Sequence, residues 1–457
     1  MQAVESFTSV LMPMRQFFAE GVTRPLPVRL RYLEALEKAI RARESAILEA
    51  LRQDLGKVPF EGYATEVGLV LEEIAYQRRN LKKWVRPQRV WPSLAQLPGQ
   101  AYIRYEPRGL VLILAPWNYP FQLLLLPLAG ALAAGNVVVL KPSEYAPATA
   151  HIIEEIIGSV FPPEYVRVIQ GDAQVAAQLL EEDWDYIFFT GSTRVGRLVA
   201  ESAARRLIPY TLELGGKSPA IIEADADLDI AARRIAWGKW INAGQTCIAP
   251  DYLLVHESIQ SPFLEALEKA VKKLYGDITQ PPPEYARIIH KAHYDRLMAL
   301  LQEGDIVFGG YTAPERLYLS PTVVRSPRGK LLEEEIFGPI LPVLQYKTPE
   351  EAVAFVRKLP PPLALYVFSE DKGKQMFYLD MLPSGGACIN DTLLHIGSSR
   401  LPFGGVRESG IGRYHGWYSF ETFSHARALV KTPTWVDLPL RYPPYGKKLS
   451  LIRRLLG

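Results

Sequence analysis

Apolar positions recur along this chain with two different periods. Between 27 and 55, Leu33, Leu36, Ile40, Ile47 and Leu51 fall near helical spacing with Arg and Glu between them, and Gly56 follows as a stop, so the spacing predicts a helix. A second helical pattern covers about 62–82. The Pro-rich stretch 86–100 predicts an extended connection. From 110 onward short unbroken apolar runs take over and predict strands at 110–114, 137–140, 166–169, 185–189, 210–214 and 219–222. Helical patterns near 120–134, 147–158, 173–181 and 193–206 separate them. Strands that are apolar on both faces belong in a parallel sheet covered on both sides. The alternation resumes at 252–256, 306–310, 340–346, 363–368 and 386–390. Two α/β units in series are expected, with a boundary near 210–220.

One run needs a separate decision. Gly109 to Leu140 carries no charge over 32 positions, longer than the roughly 20 residues that span a bilayer. Pro116, Pro120, Pro127, Gly130 and Gly135-Asn136 interrupt it. Those interruptions mark element ends, so the run predicts a buried strand, helix and strand rather than a membrane span. The first 20 residues include Glu5, Arg15 and Glu20 and show no secretory leader. At the other end, KKLSLIRRLLG is basic and amphipathic; it predicts a surface helix able to touch an anionic membrane weakly, and far too short to span one.

Composition narrows the function. The chain has 457 residues, 48% hydrophobic and 22% charged, which is a globular profile with room for two or three domains. Lys+Arg 52 against Asp+Glu 49 gives a net charge of +3, too small an excess for a general nucleic-acid binder. Two cysteines exclude a disulfide framework, and neither Cys nor His clusters at metal-ligand spacing, so no metal is expected.

Three segments carry candidate chemistry. In INAGQTCIAP, Cys247 follows Gly244-Gln245-Thr246, a place where a helix can start and its N–H groups can favour a thiolate or an oxyanion. In LELGGKSP, Glu213 ends an apolar strand, where burial would raise its pKa toward the range of a general base. In FFTGSTRVG (188–196), a strand leads into a helix whose Gly, Ser and Thr can receive phosphate oxygens; it is neither GxGxxG nor a P-loop. Cys388, in the apolar run GGACIN, reads as structural, and His415 as a packed residue without a catalytic role.

These segments are part of a wider resemblance. PWNYPF (116–121), AAGNVVVLKPSE (133–144), FTGST (189–193), LELGGKSP (212–219), GQTC (244–247), EEIFGPILPV (334–343), PLALYVFS (362–369) and LPFGGVRESGIGRYHG (401–416) occur in order over nearly the whole chain. Together they resemble the NAD(P)-dependent aldehyde dehydrogenases. EYARII (284–289) with His293, YHG (414–416) and SFETFSHAR (419–427) look like the class 3 branch, which acts on fatty and aromatic aldehydes.

The resemblance implies two Rossmann-like open parallel sheets plus a small bridging arm. Residues 1–85 and 107–213 would bind the cofactor, 214–416 would form the catalytic unit, 86–106 and 417–445 would bridge a homodimer, and 446–457 would be a basic tail. It implies that Cys247 attacks the aldehyde to give a thiohemiacetal. Asn118 and the Cys247 N–H would stabilise the oxyanion, hydride would pass to the nicotinamide, and Glu213 would activate the water that hydrolyses the thioester. Trp117, Lys141, Glu144, Gly191, Ser192, Glu335 and Phe337 would hold NAD or NADP, with a lean to NAD because Glu144 repels a 2′-phosphate. Leu69, Tyr119, Leu123, Trp240 and Ile241 would wall an apolar substrate tunnel. A cytoplasmic location follows from the same resemblance. Two alternatives stay open: a coenzyme A-acylating dehydrogenase, and a polyene aldehyde such as retinal or an apocarotenal as substrate.

Overall fold

The structure is a computed structural model that describes residues 7–93, 96–446 and 448–456. Two open sheets dominate it. The first has six strands in the order Gly410–Ile411, Tyr210–Glu213, Tyr186–Thr190, Leu110–Leu114, Val137–Lys141, Val166–Val168. All are parallel except Gly410–Ile411, which runs antiparallel with Gly410 opposite Glu213. The second has seven strands in the order Asp305–Phe308, Thr322–Arg325, Ile340–Tyr346, Tyr252–His256, Pro219–Ile222, Ala364–Phe368, Gly386–Ile389, parallel except at Asp305–Phe308. The unbroken apolar runs are buried on both faces, as at Leu110–Leu114 and Val137–Lys141. The family resemblance places all of 214–416 in the second unit, yet Gly410–Ile411 returns to the edge of the first sheet.

The uncharged stretch resolves into strand, helix and strand. Helix Gln122–Ala134 is buried at every position, because it packs between the first sheet and helices Leu26–Ala42, Gly68–Trp84 and Gly416–Thr422. No helix among the described residues is long and apolar enough to cross a membrane.

Two helical expectations need refinement. The 27–55 pattern is two helices, Leu26–Ala42 and Glu44–Leu55, because Arg43 leaves helical angles (φ −112°, ψ 14°). Ile40 and Ile47 are both fully buried on either side of the break, so the apolar stripe runs through it unchanged. The 62–82 pattern begins with helix Pro59–Gly62 and a π-helical turn at Tyr63–Val67 before Gly68–Trp84. That turn buries Glu66 completely, which matters below.

The Pro-rich connection forms a third, antiparallel sheet. Strand Gln100–Pro107 pairs over its full length with Ser424–Lys431, and Gln88–Val90 lies on its other edge. This arm leaves Trp91 and Trp435 98% and 80% exposed.

Candidate active site

A cavity of about 540 Å³ is walled by strand ends of the first sheet and by helices and loops of both units. Thr190, Glu213 and Leu214 come from the first sheet; Trp237, Ile241, Cys247, Ile248 and Leu363 come from the second unit. The polypeptide before Cys247 takes an unusual path. Asn242, Ala243 and Gly244 all have left-handed angles (φ 53°, 52° and 73°), and a Cβ on Gly244 would lie 2.3 Å from the Gly338 carbonyl oxygen. Cys247 then sits in a turn, not at the helix start that its flanking residues suggest. The N–H groups of Cys247 and Ile248 approach its sulfur, but burial pushes the thiol up, and the Glu335 and Glu213 carboxylates push the same way.

Glu213 occupies the last position of its strand, buried, with neither carboxylate oxygen bonded to a protein donor. Burial alone raises its pKa well above the ordinary carboxylate value. Asn118 is also buried; its Nδ2 donates to the Gln245 carbonyl at 3.1 Å, tying it to the turn that carries the thiol. Gln245 bonds outward in turn, donating to the Arg287 carbonyl and accepting from the Ile289 N–H, both at 3.0 Å, which explains why EYARII lies beside GQTC.

A buried charged network that sequence reasoning missed supports these loops. Lys57 is fully buried, 2.6 Å from Glu66, donates to the Asn118 carbonyl at 3.0 Å, and has its ammonium 3.9 Å from the centre of the Tyr119 ring. Glu66 accepts the Phe121 and Gln122 N–H groups at 2.9 and 3.1 Å, at the start of the uncharged helix. Glu61 accepts the Asn242 N–H at 3.0 Å. Tyr119 reaches Thr246, its hydroxyl 2.7 Å from Oγ1. A Lys and two Glu this close together look like solvated surface, yet Lys57 in the irregular stretch before helix Pro59–Gly62, Glu61 in that helix and Glu66 in the π-helical turn are all buried.

Of the residues expected to wall a tunnel, Leu69, Tyr119, Leu123 and Ile241 line the cavity. Trp240 does not. It is fully buried, its Nε1 donates to the Pro339 carbonyl at 2.8 Å, and its neighbour one turn back, Trp237, faces the cavity instead. Helical spacing places 237 and 240 on nearby faces, and the sequence gives no sign which one looks inward.

Beside the cavity lies a second crevice. The strand order of the first sheet reverses between Leu110–Leu114 and Tyr186–Thr190, and such a switch point is where open α/β sheets bind ligands. Trp117 follows the first of these strands and Gly191-Ser192 the second, with Ser192 capping helix Thr193–Arg205 through the Val195 N–H. Lys141 ends the neighbouring strand, 3.7 Å from Glu144. A helix N-terminus for phosphates, with a Lys–Glu pair for ribose hydroxyls, suits a dinucleotide.

Glu335 and Phe337 approach the same region from the second unit. A Cβ on Gly215 would lie 2.1 Å from the Glu335 carboxylate, so glycine is required for that approach. Burial, with Asp251 adding to it, pushes Glu335 up to about 8. Lys217 pairs with Asp251 and donates to the Leu331 and Glu334 carbonyls, while Arg296 and His293 hold the carbonyls of 335–337. Phe337 packs edge-on against Trp117, with ring centres 5.4 Å apart. No group of acids, His and Cys among the described residues has the makings of a metal site.

His415 is buried with its ring stacked on Phe403, and burial pushes it down to about 3. Cys388 lies 3.3 Å from His395 Nδ1.

Comparison with known proteins agrees with this geometry. The aldehyde dehydrogenase family pattern matches residues 11–429. The chain is 45% identical over 443 residues to the 4,4'-diaponeurosporen-aldehyde dehydrogenase of Staphylococcus aureus, covering 96% of both proteins. It is 44% identical over 451 residues to aldehyde dehydrogenase family 3 member A2 of Macaca fascicularis, covering 96% of this chain and 93% of that one. A solved structure of the substrate-bound state of Staphylococcus aureus AldH superposes with a TM-score of 0.97, at 43% identity and 99% coverage of each chain. The chain belongs to the aldehyde dehydrogenase family and is an NAD(P)-dependent oxidoreductase.

Proposed function

We propose that the protein oxidises lipophilic aldehydes, medium- to long-chain, aromatic or polyene, to carboxylic acids. One observation carries this reading: an acid and a thiol, Glu213 and Cys247, share a cavity whose other walls are largely apolar. Its 540 Å³ falls within the roughly 300–1,000 Å³ of small-molecule sites. The Cys247 thiol loses its proton to solvent as Sγ attacks the carbonyl carbon, and the Asn118 amide with the Cys247 N–H receives the charge on oxygen. The hydride acceptor would be supplied by a bound nicotinamide. The acyl group is then held on sulfur as a thioester, and Glu213 takes a proton from the water that attacks it. The carbon–sulfur bond breaks, and the thiol is regenerated. A base poised at the thioester favours water over coenzyme A as acyl acceptor.

Trp117, Lys141, Glu144, Gly191, Ser192, Glu335 and Phe337 hold the dinucleotide in this reading. Glu144 beside Lys141 supports a preference for NAD. Residues 1–85 and 107–213 serve as the cofactor unit. The exposed Trp91 and Trp435 support the arm as the bridge of a homodimer. Helix Lys448–Leu456, with Arg453 and Arg454 and exposed Leu449 and Leu451, supports a cytoplasmic enzyme in weak contact with anionic membranes. The polyene option rests on the Staphylococcus aureus relative, whose name specifies such an aldehyde.

The test is a panel of aldehydes from C3 to C16 with benzaldehyde and retinal, run on the parent and on Cys247→Ser. Rates should rise with lipophilicity, and the variant should bind dinucleotide but not turn over. Turnover above a few per cent in Cys247→Ser would refute the nucleophile assignment.

A further inference from the structure

Four side chains on the cavity wall carry polar atoms without a protein partner: Gln122 through its Nε2, and Glu213, Thr190 and Tyr414 through their oxygens. Buried polar atoms are almost always bonded, to protein or to ordered water. Glu213, Thr190 and Tyr414, the three oxygen-bearing members, are brought together by the fold. Thr190 and Glu213 are paired in register on adjacent parallel strands, so their side chains stand as neighbours on one face of the sheet. Tyr414 approaches from the returning C-terminal segment. Its backbone exchanges two hydrogen bonds with Phe403, at 3.0 and 2.8 Å, and its ring packs edge-on against Phe188, with centres 5.1 Å apart. The chain just beyond is pinned by the Gly416 N–H, which donates to buried Glu73 at 2.8 Å. The hydroxyl is thus held rigidly at a small polar spot in an apolar cavity.

We propose that Tyr414 is a positioning residue for hydrolysis, holding with Thr190 the water from which Glu213 takes a proton. The proposal rests on the reading of Glu213 given above. The water donates one hydrogen to the Glu213 carboxylate and one to Thr190 Oγ1, and accepts one from the Tyr414 hydroxyl. Its remaining lone pair faces the acyl carbon on Cys247. The new carbon–oxygen bond forms as a proton moves to Glu213. The carbon–sulfur bond then breaks with its electron pair on sulfur, the proton passes to the thiolate, and acid and free thiol result. Burial, with Glu213, Cys247 and Glu73 adding to it, raises the Tyr414 pKa well above its usual value, so the phenol keeps its proton and serves as a donor.

Tyr414→Phe removes the hydroxyl and keeps the ring packing. Steady-state kcat should fall about 5- to 10-fold, as expected for one lost hydrogen bond. A burst of reduced dinucleotide approaching one per Cys247 should remain. Hydroxylamine, a nucleophile that needs no base, should restore the turnover rate, which a general loss of structure would not allow. Thr190→Val, which is nearly isosteric, should show the same pattern and decides the matter if the Phe variant does not fold. A kcat within twofold of the parent, loss of the burst, or no response to hydroxylamine would overturn the proposal. Glu213→Gln, run in parallel, separates the two levels. If it keeps the burst and turns over slowly while Tyr414→Phe behaves like the parent, only the role of Tyr414 fails. If it turns over normally, the hydrolytic reading fails and takes this proposal with it.

Discussion

Replacing Lys57 by Met tests whether the buried network holds the reactive loops. The ammonium is fully buried, 2.6 Å from Glu66, with the Asn118 carbonyl and the Tyr119 ring as its other neighbours. Removing one partner of a buried ion pair costs about 3–5 kcal/mol, because the other charge is stranded. Met fills most of the stem's space, so little cavity cost is added. The Asn118 carbonyl keeps the Asn242 amide at 2.8 Å, so it is not orphaned. Glu66 has one escape, which is to hold a proton. Burial already raises its pKa, and Lys57 is the main influence lowering it. In the variant the folded protein therefore retains that proton well above the unfolded value, and stability falls as pH rises from about 4.5. Denaturant midpoints followed by tryptophan fluorescence should show a larger loss at pH 8 than at pH 5.5. At temperatures where the variant is folded, kcat/KM should drop about 10-fold or more as Asn118 drifts. Stability within about 1 kcal/mol of the parent at both pH values, or a greater loss at the acid end, would refute the reasoning.

Further expectations concern the cavity and the crevice. Because burial raises Glu213, its base form appears only as pH rises through that raised value, so kcat should climb with pH, and the limb should vanish in Glu213→Gln. Gly215→Ala drives a methyl group to 2.1 Å from the Glu335 carboxylate, and dinucleotide affinity measured by fluorescence titration should fall about 10-fold; unchanged affinity would contradict the placement of Glu335. Trp237→Ala should shift the preferred aldehyde length with little change in melting temperature. Trp240→Ala should instead cost about 3–5 kcal/mol and leave that preference alone.

What was legible in the sequence follows from what sequence patterns record. Strands buried on both faces show up as unbroken apolar runs, so most strands of the two sheets were readable between Leu110 and Ile389; Thr322–Arg325, whose apolar run is only Val323-Val324, was not. Cys247, Glu213 and Asn118 stand out in the sequence because short motifs surround them, and the fold brings their loops together. The break at Arg43 was invisible because it leaves the apolar stripe in phase. Lys57, Glu61 and Glu66 were invisible because a charged side chain signals solvent unless something buries it. Trp240 was misplaced because two tryptophans one turn apart differ only in tertiary surroundings. The turn at Cys247 was mistaken for a helix start because its left-handed residues, Asn242 and Ala243, are not glycines.

The pairing of Gly410 with Glu213 has a consequence for biosynthesis. The strand that carries the acid is an open edge until a segment made roughly 200 residues later arrives, and the same late segment delivers Tyr414. A nascent polypeptide halted before residue 400 can assemble most of both sheets while its reactive thiol and acid remain without their last wall. The enzyme therefore encloses its chemistry only after Tyr414 has been made, and a ribosome-stalled intermediate lacking it should bind dinucleotide before it can process an aldehyde.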